Sequence, residues 1–384
     1  MQGDIEIYAA DSAETVEVDG RRVPLELEPS AALAYQLEGA PVWDTELASF
    51  LSALRPPSPE SLLMLHPYRP GKVPVVLIHG TASSPARWAD MINELQNDPR
   101  LKDRIDFWLF TYNTSSPILV SASDLRASLR RVLGELDPLG LDPALRQVVL
   151  IGHSQGGLLA RLMVTDSGQR FWNAAIDVPF EQLKATPETK ALVERTMFFE
   201  PLPFVSRVVF ICTPHRGSFR SSSLVLGILR RLITLPATVV RGLHEVAAEN
   251  EGIQTLREVP NAVENMRPGH RFVKTLSASP FAPGVSVHSI VAIPEAGPPA
   301  GQNDGVVAYE SAHLEGVGSE KIVRSTHSAQ GNPATILEVR RILYEHLQIP
   351  CGLDCEVVDR VDAAAASMDK PEALPVEDDG NERP

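Results

Sequence analysis

The chain has 384 residues, of which 43% are hydrophobic and 22% are charged, and its formal net charge is −14. This length suits one large domain or two ordinary ones, and the apolar content is sufficient for a core. The acidic balance, without any basic tract, argues against a nucleic-acid-binding protein. Much of the acidity lies in Asp354–Pro384, which is rich in Asp, Glu, Ala and Pro. We therefore predict that residues 351–384 form a disordered acidic tail.

The N-terminal residues Met1–Glu6 have neither a basic start nor an apolar core, so we do not expect them to form a signal peptide. No run of 18 apolar residues occurs, which predicts no transmembrane segment. As written, the chain is expected to be soluble and cytoplasmic. If further residues precede it, the alternative is an exported or lipid-anchored protein.

Three cysteines occur in the sequence. Cys212 lies in an apolar run and is predicted to be a core residue. Cys351 and Cys355 are close together, and they would form a small disulfide in an exported protein or remain free thiols in the cytosol. No histidine cluster accompanies them, so we predict no zinc or other metal site.

Residues 1–70 differ in pattern from the rest of the chain. Thr15–Leu27 alternates in polarity around an Asp-Gly turn, which predicts a β-hairpin. A helical segment at Asp44–Leu54 and a proline-rich link at Pro56–Pro59 follow. We interpret residues 1–70 as an N-terminal extension packed on a main domain at 71–350.

From Val73 onward the pattern becomes an alternation of strands and helices. The predicted strands are Val75–Ile78, Ile105–Tyr112, Val148–Ile151, Val205–Cys212, Val285–Ile293 and Lys321–Arg324, and the predicted helices cover Leu125–Leu136, Gly157–Thr165 and about 332–347. This alternation predicts an α/β fold with a mostly parallel central sheet and helices on both faces.

Two insertions, at about 166–204 and 218–282, interrupt the alternation. The second contains Leu224–Ile233, which has more apolar residues than one helix face needs. We interpret this segment as a cap helix buried on the core. The alternative is a lid that presents an apolar surface to an apolar substrate.

The motif Gly152-His153-Ser154-Gln155-Gly156 lies between a buried strand and a helix-forming stretch. A tight turn at this place holds its serine in a strained conformation that requires small neighbours. It also exposes the hydroxyl at a helix N-terminus, where developing negative charge is stabilised. We therefore predict that Ser154 is a nucleophile.

A serine nucleophile needs a base, and the base needs an orienting acid. In this architecture the acid and the histidine follow the serine along the chain, on loops after later strands. Asp304 is the only aspartate in the loop 301–307, with Glu295 as a reserve, and His327 follows the last strand. His313, which precedes that strand, is the weaker choice for the base.

An oxyanion needs two backbone donors, for which we predict the N–H groups of Gln155 and Thr81. Three histidines, His79, His153 and His215, are candidate substrate-binding residues. For His79 and His153 we favour packing or hydrogen bonding around the site. His215 lies on another loop at the same sheet edge, and there the two interpretations are evenly balanced.

Assembled in this order, the residues resemble the α/β-hydrolase superfamily and, more narrowly, its lipase-like branch with the GPI-inositol-deacylase-like esterases. The matching pieces between Val73 and Leu347 are His79-Gly80-Thr81, Gly152–Gly157, Thr213-Pro214-His215-Arg216-Gly217-Ser218, Asn303-Asp304-Gly305-Val306-Val307 and His327. The resemblance implies a Ser–Asp–His esterase that needs no cofactor. Separately, we expect a small-molecule or lipid ester as substrate and peripheral contact with lipid surfaces.

Several functions share this machinery. An acyltransferase, a thioesterase or an amidase would use the same three residues, and the apolar Leu224–Ile233 segment favours a lipid or a long acyl chain over a small ester. A catalytically silent binding protein would have an incomplete set of catalytic residues. A nucleotide-binding domain would need glycines and a lysine after the first strand, which His79–Pro85 does not supply.

Overall fold

A computed structural model describes residues 15–18, 20–24, 62–218, 241–242, 245–246, 249–250 and 261–350. The strands are β1 Thr15–Val18, β2 Arg21–Pro24, β3 Leu62–Met64, β4 Val73–Ile78, β5 Ile105–Phe110, β6 Val148–His153, β7 Val205–Ile211, β8 Ser286–Ile293 and β9 Ser319–Arg324. The α-helices are α1 Ala89–Gln96, α2 Ile118–Leu136, α3 Gln155–Met163, α4 Arg170–Ala175, α5 Pro187–Met197, α6 Ala262–Asn265, α7 Arg271–Ala278, α8 Tyr309–Ala312 and α9 Pro333–His346. Within these residues no helix combines the length and the apolar composition needed to cross a bilayer.

One sheet organises the main domain, with the strand order β3-β5-β4-β6-β7-β8-β9. Its strands β4 to β9 run parallel to their neighbours, and only β3 pairs antiparallel, at the edge beside β5. Because β4 and β6 are central, their carboxyl ends lie side by side. The loops that follow them are therefore adjacent in space although they are far apart in sequence.

Both faces of the sheet are buried, because alternate side chains of each strand point in opposite directions. In β4, Val76 and Ile78 pack in a core with α2 and α3, whereas Val75 and Leu77 pack in a second core with α1 and α9. Burying one such side chain contributes about 1.5–3 kcal/mol. The predicted fold class, a mostly parallel sheet with helices on both faces, is confirmed.

The edge strand β3 was not predicted from the sequence, which places residues 62–64 in the N-terminal extension. The strand is short, and its pairing with β5 crosses more than 40 residues of chain. Leu62 is buried, while Leu63 is 57% exposed, so only one of its faces packs on the core. A three-residue strand of this kind has too few alternating positions to be recognised by periodicity.

The strands β1 and β2 pair antiparallel, with Val18 opposite Arg21. The extents of the N-terminal extension and of the main domain stay predictions. The predicted helix at 44–54, the apolar segment at 224–233 and the acidic tail with its two cysteines lie outside the described residues.

The first insertion contributes α4 and α5, which have a small core of their own. Trp172, Ile176 and Leu183 pack there together with Val246 from the second insertion. The carboxylate of Glu245 accepts hydrogen bonds from residues at the start of α5. The two insertions are thus joined by apolar packing and by hydrogen bonds.

We predict opposite effects for alanine at two glycines. At Gly152, a Cβ atom would lie 2.5 Å from the backbone of Gly156 and Gly157, which has no room to move, so Gly152→Ala should lower the free energy of unfolding by about 1–3 kcal/mol. At Gly134, exposed in α2, a Cβ atom meets nothing within 4 Å, and Gly134→Ala should raise stability by about 0.5–1 kcal/mol. Urea denaturation measures both, and shifts of the same sign would contradict the prediction.

Candidate active site

Five loops meet at the carboxyl edge of the sheet, and each carries part of the candidate site. They follow β4, β6, β7, β8 and β9. The central loop is the turn between β6 and α3, residues 152–156, which we call the elbow. It places Ser154 directly above the end of β6.

The backbone of Ser154 is held in a rare conformation, with φ 53° and ψ −122°. For a residue with a side chain this costs on the order of 1–3 kcal/mol, which the surrounding structure must offset. Part of that support is visible: the Ser154 N–H donates to the carbonyl of Ile211 at the end of β7, 2.9 Å away. The strain turns the chain so that α3 begins at the next residue, Gln155.

Ser154, His327 and Asp304 form a continuous hydrogen-bonded chain. Ser154 Oγ lies 2.9 Å from His327 Nε2, and His327 Nδ1 lies 2.7 Å from Asp304 Oδ2. With the imidazole protonated on Nδ1, it donates to the carboxylate and its Nε2 accepts from the serine hydroxyl. The His327 N–H also donates to the Asp304 carbonyl at 2.9 Å, so the two loops are joined through the backbone as well.

The Asp304 carboxylate is fixed by its own loop. Its Oδ1 accepts hydrogen bonds from the N–H groups of Val306, at 2.9 Å, and Val307, at 2.7 Å. The residue is only 3% exposed. The reserve acid of the sequence analysis, Glu295, is exposed, and it is Asp304 that contacts His327. The weaker base, His313, hydrogen-bonds through Nδ1 to Glu320, 2.8 Å away.

The two residues predicted as oxyanion donors follow neighbouring strands, Thr81 after β4 and Gln155 after β6. Gln155 is the first residue of α3, so its N–H has no acceptor within the helix. Thr81 follows the end of β4, whose Ile78 pairs with Gly152 of β6. Their side chains touch as well, because the Thr81 hydroxyl donates to Gln155 Oε1 at 2.5 Å.

His79 and His153 are buried, at 3% and 5% exposure. His79 stacks on the Tyr112 ring with centroids 4.7 Å apart. His153 lies with Nε2 2.8 Å from the His327 carbonyl, to which it donates, and burial followed by the neighbouring His327 lowers the pKa of His153 to about 3. Both rings therefore take part in packing or hydrogen bonding, and a role of either in substrate binding stays a prediction.

His215 is also buried, with 1% exposure. Its ring meets Phe210 edge-on, and its Nδ1 lies 3.2 Å from Arg161 Nη1, for which it is the acceptor. Burial, and then the charge of Arg161, lowers the pKa of His215 well below its usual value. This imidazole is a neutral hydrogen-bond acceptor for a buried guanidinium, and a pocket-lining role stays a prediction.

The loop after β7 forms hydrogen bonds to the connection between β8 and β9, which carries Asp304. Ser218 Oγ donates to the Val306 carbonyl at 2.7 Å. The Arg216 guanidinium donates to the carbonyls of Glu310, at 2.7 Å, and His313, at 2.6 Å. The motif Thr213–Ser218 therefore connects the two loops through side-chain bonds to backbone carbonyls, a function that its sequence alone did not indicate.

Among the described residues, one group has the composition of a metal site. His153, Cys212 and His327 have potential ligand atoms within 4.8 Å of one another. Both nitrogens of His327 already bond to Ser154 and Asp304, and His153 Nε2 is also engaged. Burial, and then the Asp304 carboxylate, raises the pKa of the Cys212 thiol well above its usual value, which disfavours the thiolate that a metal requires. The arrangement favours hydrogen bonding over metal binding.

Comparison with known protein families identifies one family that matches this chain. A model described as the alpha/beta hydrolase family matches residues 75–339. The chain belongs to the alpha/beta hydrolase family. The superfamily predicted from the sequence motifs is therefore confirmed. A comparison with curated proteins gives no match.

The hydrolase is also similar to solved lipase and esterase structures at low identity. A Bacillus licheniformis lipase, BlEst2 in mature form, is 17% identical with a TM-score of 0.43, over 75% of this chain and 98% of that one. Esterase B from Lactobacillus rhamnosis is 15% identical with a TM-score of 0.41, over 88% and 99%. The Thermogutta terrifontis esterase Est2 is 13% identical with a TM-score of 0.38, over 75% and 88%.

The buried histidines of the hydrolase predict a loss of stability in mild acid. Burial lowers the pKa of His153 to about 3 and that of His288 to about 4, and it holds that of His215 well below its usual value. Below about pH 6.5 the unfolded chain binds protons that the folded chain excludes. The free energy of unfolding should therefore fall as the pH falls from 6.5 toward 4.

Urea denaturation of His215→Gln between pH 6 and pH 5 tests this directly. The slope of the free energy of unfolding against pH should be smaller in the variant by about 1.4 kcal/mol per pH unit. The reason is that the variant has lost one group that binds a proton in the unfolded chain and not in the folded chain. An unchanged slope in His215→Gln would contradict the assignment.

Proposed function

We propose that the protein is a serine carboxyl-ester hydrolase of the lipase-like branch, with Ser154, His327 and Asp304 as its catalytic triad. The observation that carries the proposal is the hydrogen-bonded chain from Ser154 Oγ through the His327 ring to the Asp304 carboxylate. Its position at a strand–turn–helix elbow, in an alpha/beta hydrolase, supports nucleophilic catalysis.

In the first half-reaction Ser154 Oγ attacks the ester carbonyl carbon while His327 Nε2 takes the hydroxyl proton. The carbonyl π electrons move onto oxygen, and the N–H groups of Thr81 and Gln155 donate to this oxyanion. The tetrahedral intermediate then collapses. The bond to the alcohol oxygen breaks, His327 returns the proton to that oxygen, and the acyl group remains on Ser154.

In the second half-reaction water replaces the alcohol. His327 Nε2 takes a proton from the water as its oxygen attacks the acyl carbon, and a second oxyanion forms at the same donors. Its collapse breaks the bond to Ser154 Oγ and restores the hydroxyl with the proton held by His327. The products are a carboxylic acid and an alcohol.

The electrostatics of the site favour these steps. The buried Asp304 carboxylate stabilises the imidazolium that His327 becomes, and the N-terminus of α3 favours negative charge at the oxyanion. His153, whose pKa is lowered to about 3, remains neutral beside His327. No second positive charge therefore competes with the imidazolium from that position.

For the substrate we propose an ester with an apolar acyl group, including lipid esters met at a lipid surface. The apolar sequence of residues 224–233 supports this choice. Transfer of the acyl group to another acceptor, or cleavage of a thioester or amide, would use the same residues and is the alternative. A silent binding protein is less well supported, because three side chains already hydrogen-bond in catalytic order.

The first test examines the proposed nucleophile and its acid. A fluorophosphonate probe should label wild-type protein at Ser154 and should not label Ser154→Ala. Asp304→Asn should lower kcat on a p-nitrophenyl ester by about 10⁴-fold, because the imidazole loses its orienting acceptor. Glu295→Gln, which changes the exposed reserve acid, should keep wild-type kcat. A folded wild-type protein that takes no label would contradict the proposal.

The second test concerns the acyl group. Across p-nitrophenyl esters of increasing acyl length, kcat/KM should rise beyond acetate, because a longer chain buries more apolar surface at the site. Activity on the longer esters should rise further when micelles are added. A maximum at acetate with no response to micelles would contradict the proposed substrate class.

A further inference from the structure

The two proposed oxyanion donors belong to residues whose side chains bond to each other. Thr81 and Gln155 are separated by 74 residues of sequence, yet the Thr81 hydroxyl donates to Gln155 Oε1 at 2.5 Å. Each residue offers its backbone N–H to the oxyanion and its side chain to the other residue. The contact therefore joins the loop after β4 to the first turn of α3 at the place where both donors must be aligned.

The Gln155 side chain is enclosed by protein. Its exposure is 0%, and Nε2 has no hydrogen-bond partner among the described residues. A buried amide with an unmatched N–H₂ group stabilises a fold less than an apolar side chain of the same shape. The contribution of this side chain is therefore to local geometry rather than to overall stability.

The loop after β4 has little freedom at this point. A Cβ atom at Gly80 would lie 2.9 Å from Ser154 Cβ and 3.0 Å from His153 Nδ1, so the loop packs closely against the elbow. Ala82 has a left-handed backbone with φ 49°, and its N–H donates to Thr114 Oγ1 at 3.2 Å. Thr81 thus lies between a closely packed glycine and a strained residue, and its hydroxyl bond to Gln155 ties the loop to the first turn of α3.

We propose that the Thr81–Gln155 side-chain bond is a positioning device that fixes the spacing of the two oxyanion donors. It acts through the backbone N–H groups and does not touch the reacting atoms. Donors that are fixed before the reaction need no reorganisation when charge develops, which is where their catalytic value lies. The inference rests on the proposed function, because it assumes that Ser154 forms a tetrahedral oxyanion.

The test removes the bond and keeps both backbone donors. Thr81→Val replaces the hydroxyl with a methyl group of similar size, Gln155→Met removes the acceptor, and Thr81→Ser keeps the hydroxyl. The matched control is Thr196→Val, which removes a buried hydroxyl that donates to the Leu192 carbonyl within α5, a helix that carries none of the proposed catalytic residues. Rates are normalised to active sites titrated with a fluorophosphonate, so that unfolded protein does not contribute.

We expect Thr81→Val and Gln155→Met each to lower kcat on p-nitrophenyl butyrate by about 10- to 100-fold, less than the loss of a donor itself. KM should change by less than about twofold, because substrate binding precedes the oxyanion. The double variant should be no slower than the slower single variant, since both break the same bond. Thr81→Ser, which keeps the hydroxyl, should lose less kcat than Thr81→Val, and Thr196→Val should keep wild-type kcat.

The pH dependence of kcat/KM distinguishes a loss of oxyanion-donor positioning from a general loss of active-site structure. The acid limb of kcat/KM should keep its midpoint in Thr81→Val, because the His327–Asp304 pair is untouched. Wild-type kcat in Thr81→Val or Gln155→Met, multiplicative losses in the double variant, or a shifted acid limb would overturn the inference while the proposed function stood. A wild-type protein that takes no label would overturn both.

Discussion

The close approach of α3 to the sheet is the constraint on which the rest of the site depends. The helix begins one residue after Ser154, and backbone atoms lie too close to Gly152 and Gly156 to admit a Cβ atom at either position. This contact forces the positive φ of Ser154, and the strain is offset by the surrounding strands. Because the strained residue has no room to relax, its hydroxyl has a defined position relative to His327, 2.9 Å away.

Few charged groups among the described residues surround Ser154. The site buries one carboxylate, Asp304, and surrounds it with donors rather than with cations. The neighbouring imidazoles of His153 and His215 have pKa values far below the usual one because burial opposes their charged forms. A proton taken up at His327 would therefore be the main change in charge during a catalytic cycle, and the buried carboxylate is placed to stabilise it.

Patterns within short segments predicted much of this arrangement. The strand–turn–helix around Ser154, the loops of Asp304 and His327, and the parallel sheet all follow from local periodicity and chain order. The features that were not predicted depend on contacts between segments that are far apart in the sequence. The edge strand β3 forms only by pairing with β5. The bonds from Arg216 to the carbonyls of Glu310 and His313, in the β8–β9 connection that also carries Asp304, form only in the folded chain, and residue order alone does not specify them.

The central claim is that Ser154 carries the acyl group during turnover, and trapping that intermediate tests it most directly. Wild-type protein mixed with a slowly deacylating p-nitrophenyl ester and quenched in acid within the first turnover should gain the mass of one acyl group. Peptide mapping should place that mass on the peptide containing Ser154, and Ser154→Ala should gain none. An acyl group on another residue, or hydrolysis without any acyl-protein, would contradict the account.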